Sequence, residues 1–222
     1  MIGRMRPVRA ILWDNDGVLV DSEQLYFEVT RDVLATAGIV LTDEQYRDLF
    51  LVQGRGAWHL CGERGIPALE ISRLRAARND RYSEGLRQGS LALEDVETVL
   101  AALHGRYPMG CVTSSRQDHF ALIHERTGFL RYFDFVLTAS DVSRVKPDPE
   151  LYVRAVERTG FAAAECLAIE DSERGLQAAR AAGVPCIVVP TPLTRGCAFA
   201  GAERVLARIT EVLTVLAAWR PA

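Results

Sequence analysis

The chain has 222 residues, 49% of them hydrophobic and 25% charged, with a formal net charge of −3. That length holds one sizeable core or a core domain with a smaller insert, and the slight acidity makes no electrostatic case for nucleic acid as a partner. No apolar run reaches the ~18–20 residues of a membrane helix, and acids interrupt the apolar stretch that follows Arg4 and Arg6 too early for a signal peptide, so the cytoplasm is the expected location.

The first predicted strand, residues 10–13, opens the segment ILWDNDGVLVDS (11–22). Side chains on a strand alternate sides, so Asp14 and Asp16 tend to project together while Asn15 points elsewhere. Two carboxylates forced together repel unless a cation or a proton lies between them. They read equally well as solvated turn acids before a glycine or as a metal-assisted acid and nucleophile pair.

Residues 22–89 are helix-like throughout. Asp21 with Gln24, and Thr42 with Gln45, have capping-box spacing. Gly54 and Gly56 break the chain, and Pro67 opens a long helix to about Leu86. Strands then recur at 110–113, 135–137, 166–169 and 186–189, separated by helices at 93–103, 117–127, 150–159 and 173–182. Gly183 stands as a helix C′ residue, and a last helix is expected over 202–219. Such alternation indicates a Rossmann-like parallel sheet covered on both faces. The expected division is therefore an α/β core of residues 1–21 and 90–222 with an inserted helical cap of residues 22–89. That cap lies at the carboxyl end of the sheet, where ligands of open α/β sheets bind. The five cysteines, at 61, 111, 166, 186 and 197, form no CxxC pair. Cys111, Cys166 and Cys186 fall in predicted strands and read as small buried hydrophobes of a reducing compartment.

The other strand ends share the first one's rim. Thr113, Ser114 and Ser115 precede a helix, where hydroxyls and free amides either cradle a phosphate or simply cap. Lys146, held before Pro147, either neutralises a phosphoryl group or is a solvated loop lysine. Glu170 and Asp171 bring the rim to about four carboxylates, a set that calls for a hard cation with oxygen ligands such as Mg²⁺.

WDNDGVLVDSE, CVTSS, VKPDPELY and AIEDSERGLQAARAAG, in that order and with a helical insert after the first, resemble the four motifs of the haloacid dehalogenase-like hydrolases over residues 9–190. The resemblance implies a Mg²⁺-dependent phosphatase of a small phosphorylated metabolite. Asp14 would be the nucleophile that forms an aspartyl-phosphate, and Asp16 the acid and then the base. Thr113 and Lys146 would hold the phosphoryl group. Asp14, the Asp16 carbonyl and Asp171 would ligate Mg²⁺, with Glu170 close by. Asn15 departs from the family's apolar residue, which implies a polar neighbour for it. The second aspartate argues for a phosphate ester over a carbon–halogen bond.

A β-phosphoglucomutase-type phosphosugar mutase is the alternative. Such mutases carry a histidine where Tyr26 stands and an arginine near Ala57, two residues beyond Arg55, and these differences favour a phosphatase. In the cap loop, Gln53 and Arg55 are candidates for substrate contact, Trp58 either stacks on substrate or anchors the cap's core, and His59 either contacts substrate or lies on the surface. Receiver domains also gather aspartates, a hydroxyl and a lysine at such a rim, but they are about half this length and lack a cap. A small-molecule phosphate ester is the expected partner; the oligomeric state is not legible.

Overall fold

The computed structural model describes residues 7–219. The basic start at Arg4 and Arg6, and the extreme ends of the expected core segments, lie outside the described residues. Six parallel strands form one sheet in the order β3-β2-β1-β4-β5-β6: β1 Ala10–Trp13, β2 Met109–Val112, β3 Phe135–Leu137, β4 Cys166–Glu170, β5 Cys186–Val188 and β6 Arg204–Val205. β1 and β4 are central, and every one of their residues is buried. This matches the near-continuous apolar runs expected where both faces are covered. The architecture is the Rossmann-like parallel sheet expected from the alternation of elements.

Helices cover both faces. α5 (Val96–Leu103), α6 (Gln117–His124) and α9 (Glu211–Ala218) pack with Ile11, Trp13, Leu167 and Ile169 on one side. On the other, α7 (Glu150–Thr159) and α8 (Glu173–Ala181) pack with Leu12, Val112 and Ala168. Between β1 and β2 run α1 (Glu23–Thr36), α2 (Asp43–Tyr46), a π-helical turn (Arg47–Val52), α3 (His59–Glu63) and α4 (Ala68–Arg87). This segment has its own apolar cluster around Phe27, Leu34, Tyr46 and Leu51. α4, about 30 Å long for 20 residues, joins the two cores. Its Leu74 lies in the helical cluster, while Tyr82 and Leu86 lie in the sheet's cluster. Among the described residues no helix is long and apolar enough to cross a membrane.

Several element ends differ from the sequence expectation. Thr42 and Gln45 form the full capping box, whereas the expected box of Asp21 and Gln24 does not form: the N-cap of α1 is Ser22, which makes no side-chain cap because its hydroxyl is spent on Asp16. α5 starts three residues late: the Leu93 N–H bonds the Leu19 carbonyl (3.1 Å), and Asp95 turns left-handed with φ +63°. α6 stops at His124, where the Thr127 hydroxyl meets the His124 ring (2.8 Å) and accepts from the Phe129 N–H (3.2 Å). The expected helix over 202–219 is replaced by the edge strand β6 and the shorter α9. The Glu203 and Leu206 N–H groups bond Cys186 and Val188 of β5, each at 2.8 Å, and that ladder overrides a helical pattern. Cys61, Cys111, Cys166 and Cys186 are free thiols buried among apolar side chains.

Candidate active site

Asp14 stands one residue past β1, its N–H extending the ladder to the Ile169 carbonyl at 2.9 Å. The Asn15 carbonyl then accepts from the N–H groups of Val18, Leu19 and Val20, folding the chain into a tight loop that reverses after Asp16. Three hydroxyls fix the Asp16 carboxylate: Ser22, Thr113 (3.0 Å) and Ser115 (2.6 Å) all donate to it. Thr113, expected on the phosphoryl group, is thus engaged with Asp16 and with the Ser115 N–H (2.9 Å). Lys146, 2% exposed, donates all three protons at 2.7 Å, to Asp14 Oδ1, the Val112 carbonyl and Glu170 Oε1. Tyr152 adds a hydrogen bond to the same Glu170 oxygen at 2.6 Å. The Asn15 side chain turns into the protein, where its Oδ1 accepts from His124 Nε2 at 2.8 Å, the polar neighbour its presence implies.

Burial and the nearby Glu170 push the Asp14 carboxyl up to about 7 even with Lys146 beside it. Burial, with Asp14 and Glu170, likewise drives Asp171 well above the carboxylate range. Burial works against the Lys146 charge, but Asp14 and Glu170 outweigh it and raise its pKa. One lysine does not neutralise this rim. Asp14, Glu170 and Asp171 each offer an oxygen within 4.8 Å of the others, and Glu170 Oε2 is buried without a hydrogen-bond partner. A methyl on Gly175 would lie 1.9 Å from that oxygen, so only glycine leaves room for it. Three buried oxygen donors carrying excess negative charge, one of them unpartnered, fit a hard divalent cation such as Mg²⁺.

Beside the rim lies a cavity of about 510 Å³ walled by Asp16, Ser114 and Ser115 on the sheet side and by Tyr26, Arg55, Trp58 and Arg78 on the helical side. Asp14 and Lys146 are buried and are not among the residues that wall it. Gln53 is exposed, donates to Asp48 at 2.8 Å and is not on the wall; nor is His59 at the start of α3. Trp58 both packs on the helical cluster and faces the cavity. Gly54, with φ +65°, carries the loop within reach of the Lys146–Pro147 turn. A methyl there would sit 2.9 Å from the Pro147 ring and 3.0 Å from the Lys146 carbonyl, an approach open only to glycine.

The family model described as haloacid dehalogenase-like hydrolase matches residues 11–189. The chain belongs to that family. A phosphorylated carbohydrates phosphatase of Thermotoga maritima is 31% identical over 219 residues, covering 94% of this chain and 98% of that one. The fructose-1-phosphate phosphatase YqaB of Escherichia coli is 29% identical over 192 residues, covering 81% and 95%. Among solved structures, CbbY from Rhodobacter sphaeroides in complex with xylulose-(1,5)bisphosphate superposes with a TM-score of 0.75 at 25% identity, covering 90% and 93%. Two of these relatives are named as phosphatases of phosphorylated carbohydrates, and this hydrolase is a phosphoric monoester hydrolase.

In this hydrolase the structure also brings in residues that sequence reasoning missed. Ser22 holds Asp16 together with Ser115, which was expected instead to cradle phosphate or cap a helix. Glu23, half-buried and on the wall, accepts from Tyr46, and its pKa is raised by desolvation of its carboxylate. Arg174, on the wall, is opposed by burial, but Glu23, Asp14 and Asp171 outweigh it and raise its pKa. It sits three residues after Asp171 in the first turn of α8, a spacing that returns it to the rim. Arg78 interrupts the buried i, i+4 row Leu74–Arg78–Tyr82–Leu86, and His119 lies on the buried face of α6. A polar residue inside an apolar stripe was the signal available for both.

Proposed function

We propose that this hydrolase removes phosphate from a small phosphorylated carbohydrate through an aspartyl-phosphate on Asp14, with residues 22–89 acting as a cap over the site and Mg²⁺ as cofactor. The single observation that carries the reading is the buried set in which Lys146 bridges Asp14 and Glu170 at 2.7 Å while Asp16 faces the cavity.

An Asp14 oxygen attacks phosphorus and the ester P–O bond breaks, with the proton of Asp16 passing to the leaving oxygen. Water then attacks the aspartyl-phosphate, Asp16 takes its proton, and inorganic phosphate leaves with Asp14 regenerated. Ser22, Thr113 and Ser115 suit Asp16 to both roles. Each hydroxyl donates to the carboxylate and, once the carboxyl is protonated, can turn to accept. Ser114, whose buried Oγ has no partner, offers a donor to the phosphoryl oxygens, and Lys146 offsets the charge of Asp14 and Glu170. A divalent cation held by Asp14, Glu170 and Asp171 would supply the positive charge that phosphoryl transfer needs and keep Asp14 ionised. Tyr26, a phenol on the cavity wall without the imidazole of a mutase, favours hydrolysis over phosphosugar isomerisation.

The test is phosphate release from a panel of sugar phosphates and nucleotides, with and without EDTA. Activity abolished by EDTA and restored by Mg²⁺ is expected, and Asp14→Asn should lose more than about a thousandfold in kcat. Full activity in that variant, after deamidation is excluded by mass spectrometry, sinks the nucleophile assignment. Sustained conversion of β-glucose 1-phosphate to glucose 6-phosphate with a catalytic bisphosphate would make it a mutase.

A further inference from the structure

Where α4 and α6 meet, the cavity wall carries two polar groups that the hydrolytic chemistry does not use. Arg78 is 8% exposed and His119 is 4% exposed. The Arg78 guanidinium lies 4.4 Å from the Tyr26 ring centre and 5.6 Å from that of Trp58, and its Nε donates to Asn79 at 3.0 Å. Its Nη1 is buried with no hydrogen-bond partner. His119 stands edge-on to Tyr82, ring centres 4.9 Å apart, and its Nε2 is also buried without a partner. Both residues line the cavity.

A buried guanidinium held between rings and left with an unpaired N–H is costly for the empty protein. A planar fork presented in this way matches an oxyanion with at least two oxygens. The transferring phosphoryl group does not fill this role, since Ser114 and the Asp14–Lys146 set receive it. Charge points the same way. Five arginines and two carboxylates line the cavity, in a chain whose net charge is −3. Of the five, Arg116 is already paired with Asp118 at 2.6 Å.

We propose that Arg78 and His119 form a second anion subsite, so that the preferred substrate is a small phosphate ester bearing a further phosphate or carboxylate. This rests on the phosphatase reading above and deepens it. Arg78 supplies charge and a paired donor. His119, kept neutral because burial lowers its pKa, adds one directional hydrogen bond from Nε2.

The test uses matched probes: fructose 1-phosphate against fructose 1,6-bisphosphate, and glucose 6-phosphate against 6-phosphogluconate. Affinities are measured by titration calorimetry on the full chain carrying Asp14→Asn, so that turnover is not needed. At least one doubly anionic probe should bind roughly 10–100-fold tighter than its partner. Which pair shows the gain tells phosphate from carboxylate. Arg78→Gln and His119→Ala should each erase most of that gain while changing affinity for the singly charged probe less than about threefold, and Arg78→Lys should retain part of it. Thermal midpoints check that the variants fold; should Arg78→Gln not fold, His119→Ala and Arg78→Lys still decide. No tighter binding in either pair, or a gain that survives these substitutions, overturns the proposal. Failure of the phosphatase reading shows differently, as no phosphate released by the unsubstituted enzyme from any ester.

Discussion

The reacting rim at the sheet's edge and the helical side of the cavity beside it differ in what the fold itself holds in place. On the sheet side the reacting charges are held by the fold: Lys146 has three acceptors, Asp16 three donors, and Glu170 Oε1 two donors, while the buried atoms left open, Glu170 Oε2 and Ser114 Oγ, are the ones assigned above to a cation and to the phosphoryl group. On the helical side and along α6, Arg78 and His119 are buried with atoms that bond to nothing in the protein. The contrast teaches a division of labour. Phosphoryl transfer is the same reaction for every ester, so its groups are pre-arranged by contacts within the fold. Selection depends on a ligand, so its groups keep valences open for one.

Removing the central cation of the reacting rim should have the largest effect. Lys146→Met leaves Asp14 and Glu170 buried with no cation between them, and a broken buried pair costs about 3–5 kcal/mol. Urea denaturation at pH 8 in EDTA measures this. A loss below ~1 kcal/mol would mean that the rim is not held by charge. Next comes His124, which braces the Asp14–Asp16 loop from behind through Asn15. Burial lowers its pKa to about 4 from an ordinary 6.5. The unfolded chain therefore takes up the proton first, and this residue's contribution to stability is lost as pH falls from about 6.5 to about 4, by up to ~3 kcal/mol. Asp14, raised to about 7 by burial and Glu170, works in the opposite sense over the same range. The observable is thus the difference between the native chain and His124→Gln. Parallel stability curves for the two between pH 4 and 6.5 would refute the assignment.

The reacting rim was also the legible side. Asp14, Thr113, Glu170 and Asp171 sit at strand ends and Lys146 in the loop between β3 and α7; a parallel sheet brings all such ends to one rim, so local pattern sufficed. Arg78 and His119 lie inside helices, and which helix face meets the cavity depends on how α4 crosses α6, which no local pattern specifies. The far end of the chain was misread for a related reason. Residues 202–219 are apolar at helical spacing, yet the short strand β6 exists because β5 offers it free carbonyls. Ser22 shows the same competition in miniature: its hydroxyl caps nothing because Asp16 claims it.

Gly54 ties the two sides together and sets a smaller effect. Gly54→Ala should cost about 1–3 kcal/mol, because alanine is strained at φ +65° and its methyl meets the Lys146–Pro147 turn. Gly65, with φ +73° and open space around it, is the control. Gly65→Ala carries the strain without the contact, so thermal unfolding of both variants isolates what the approach itself contributes. Equal losses would show that the loop and the turn are not pressed together.

The smallest effect tests the helical side against its own surroundings. Arg75 and Arg78 both hold a guanidinium over Trp58, at 5.4 and 5.6 Å from the ring centre. Arg75 is exposed and hydrated, so its cation–π contact is worth at most about 1 kcal/mol. Arg75→Ala should lower stability by no more than that and change kcat/KM less than about threefold, measured on the best ester of the panel. Arg78 differs from it in burial and in its open valence, not in its distance from the ring. If Arg75→Ala damaged turnover as much as Arg78→Gln, general positive charge at the cavity mouth would govern selection. If only Arg78 matters, selection comes from the buried fork, where water cannot substitute for the substrate.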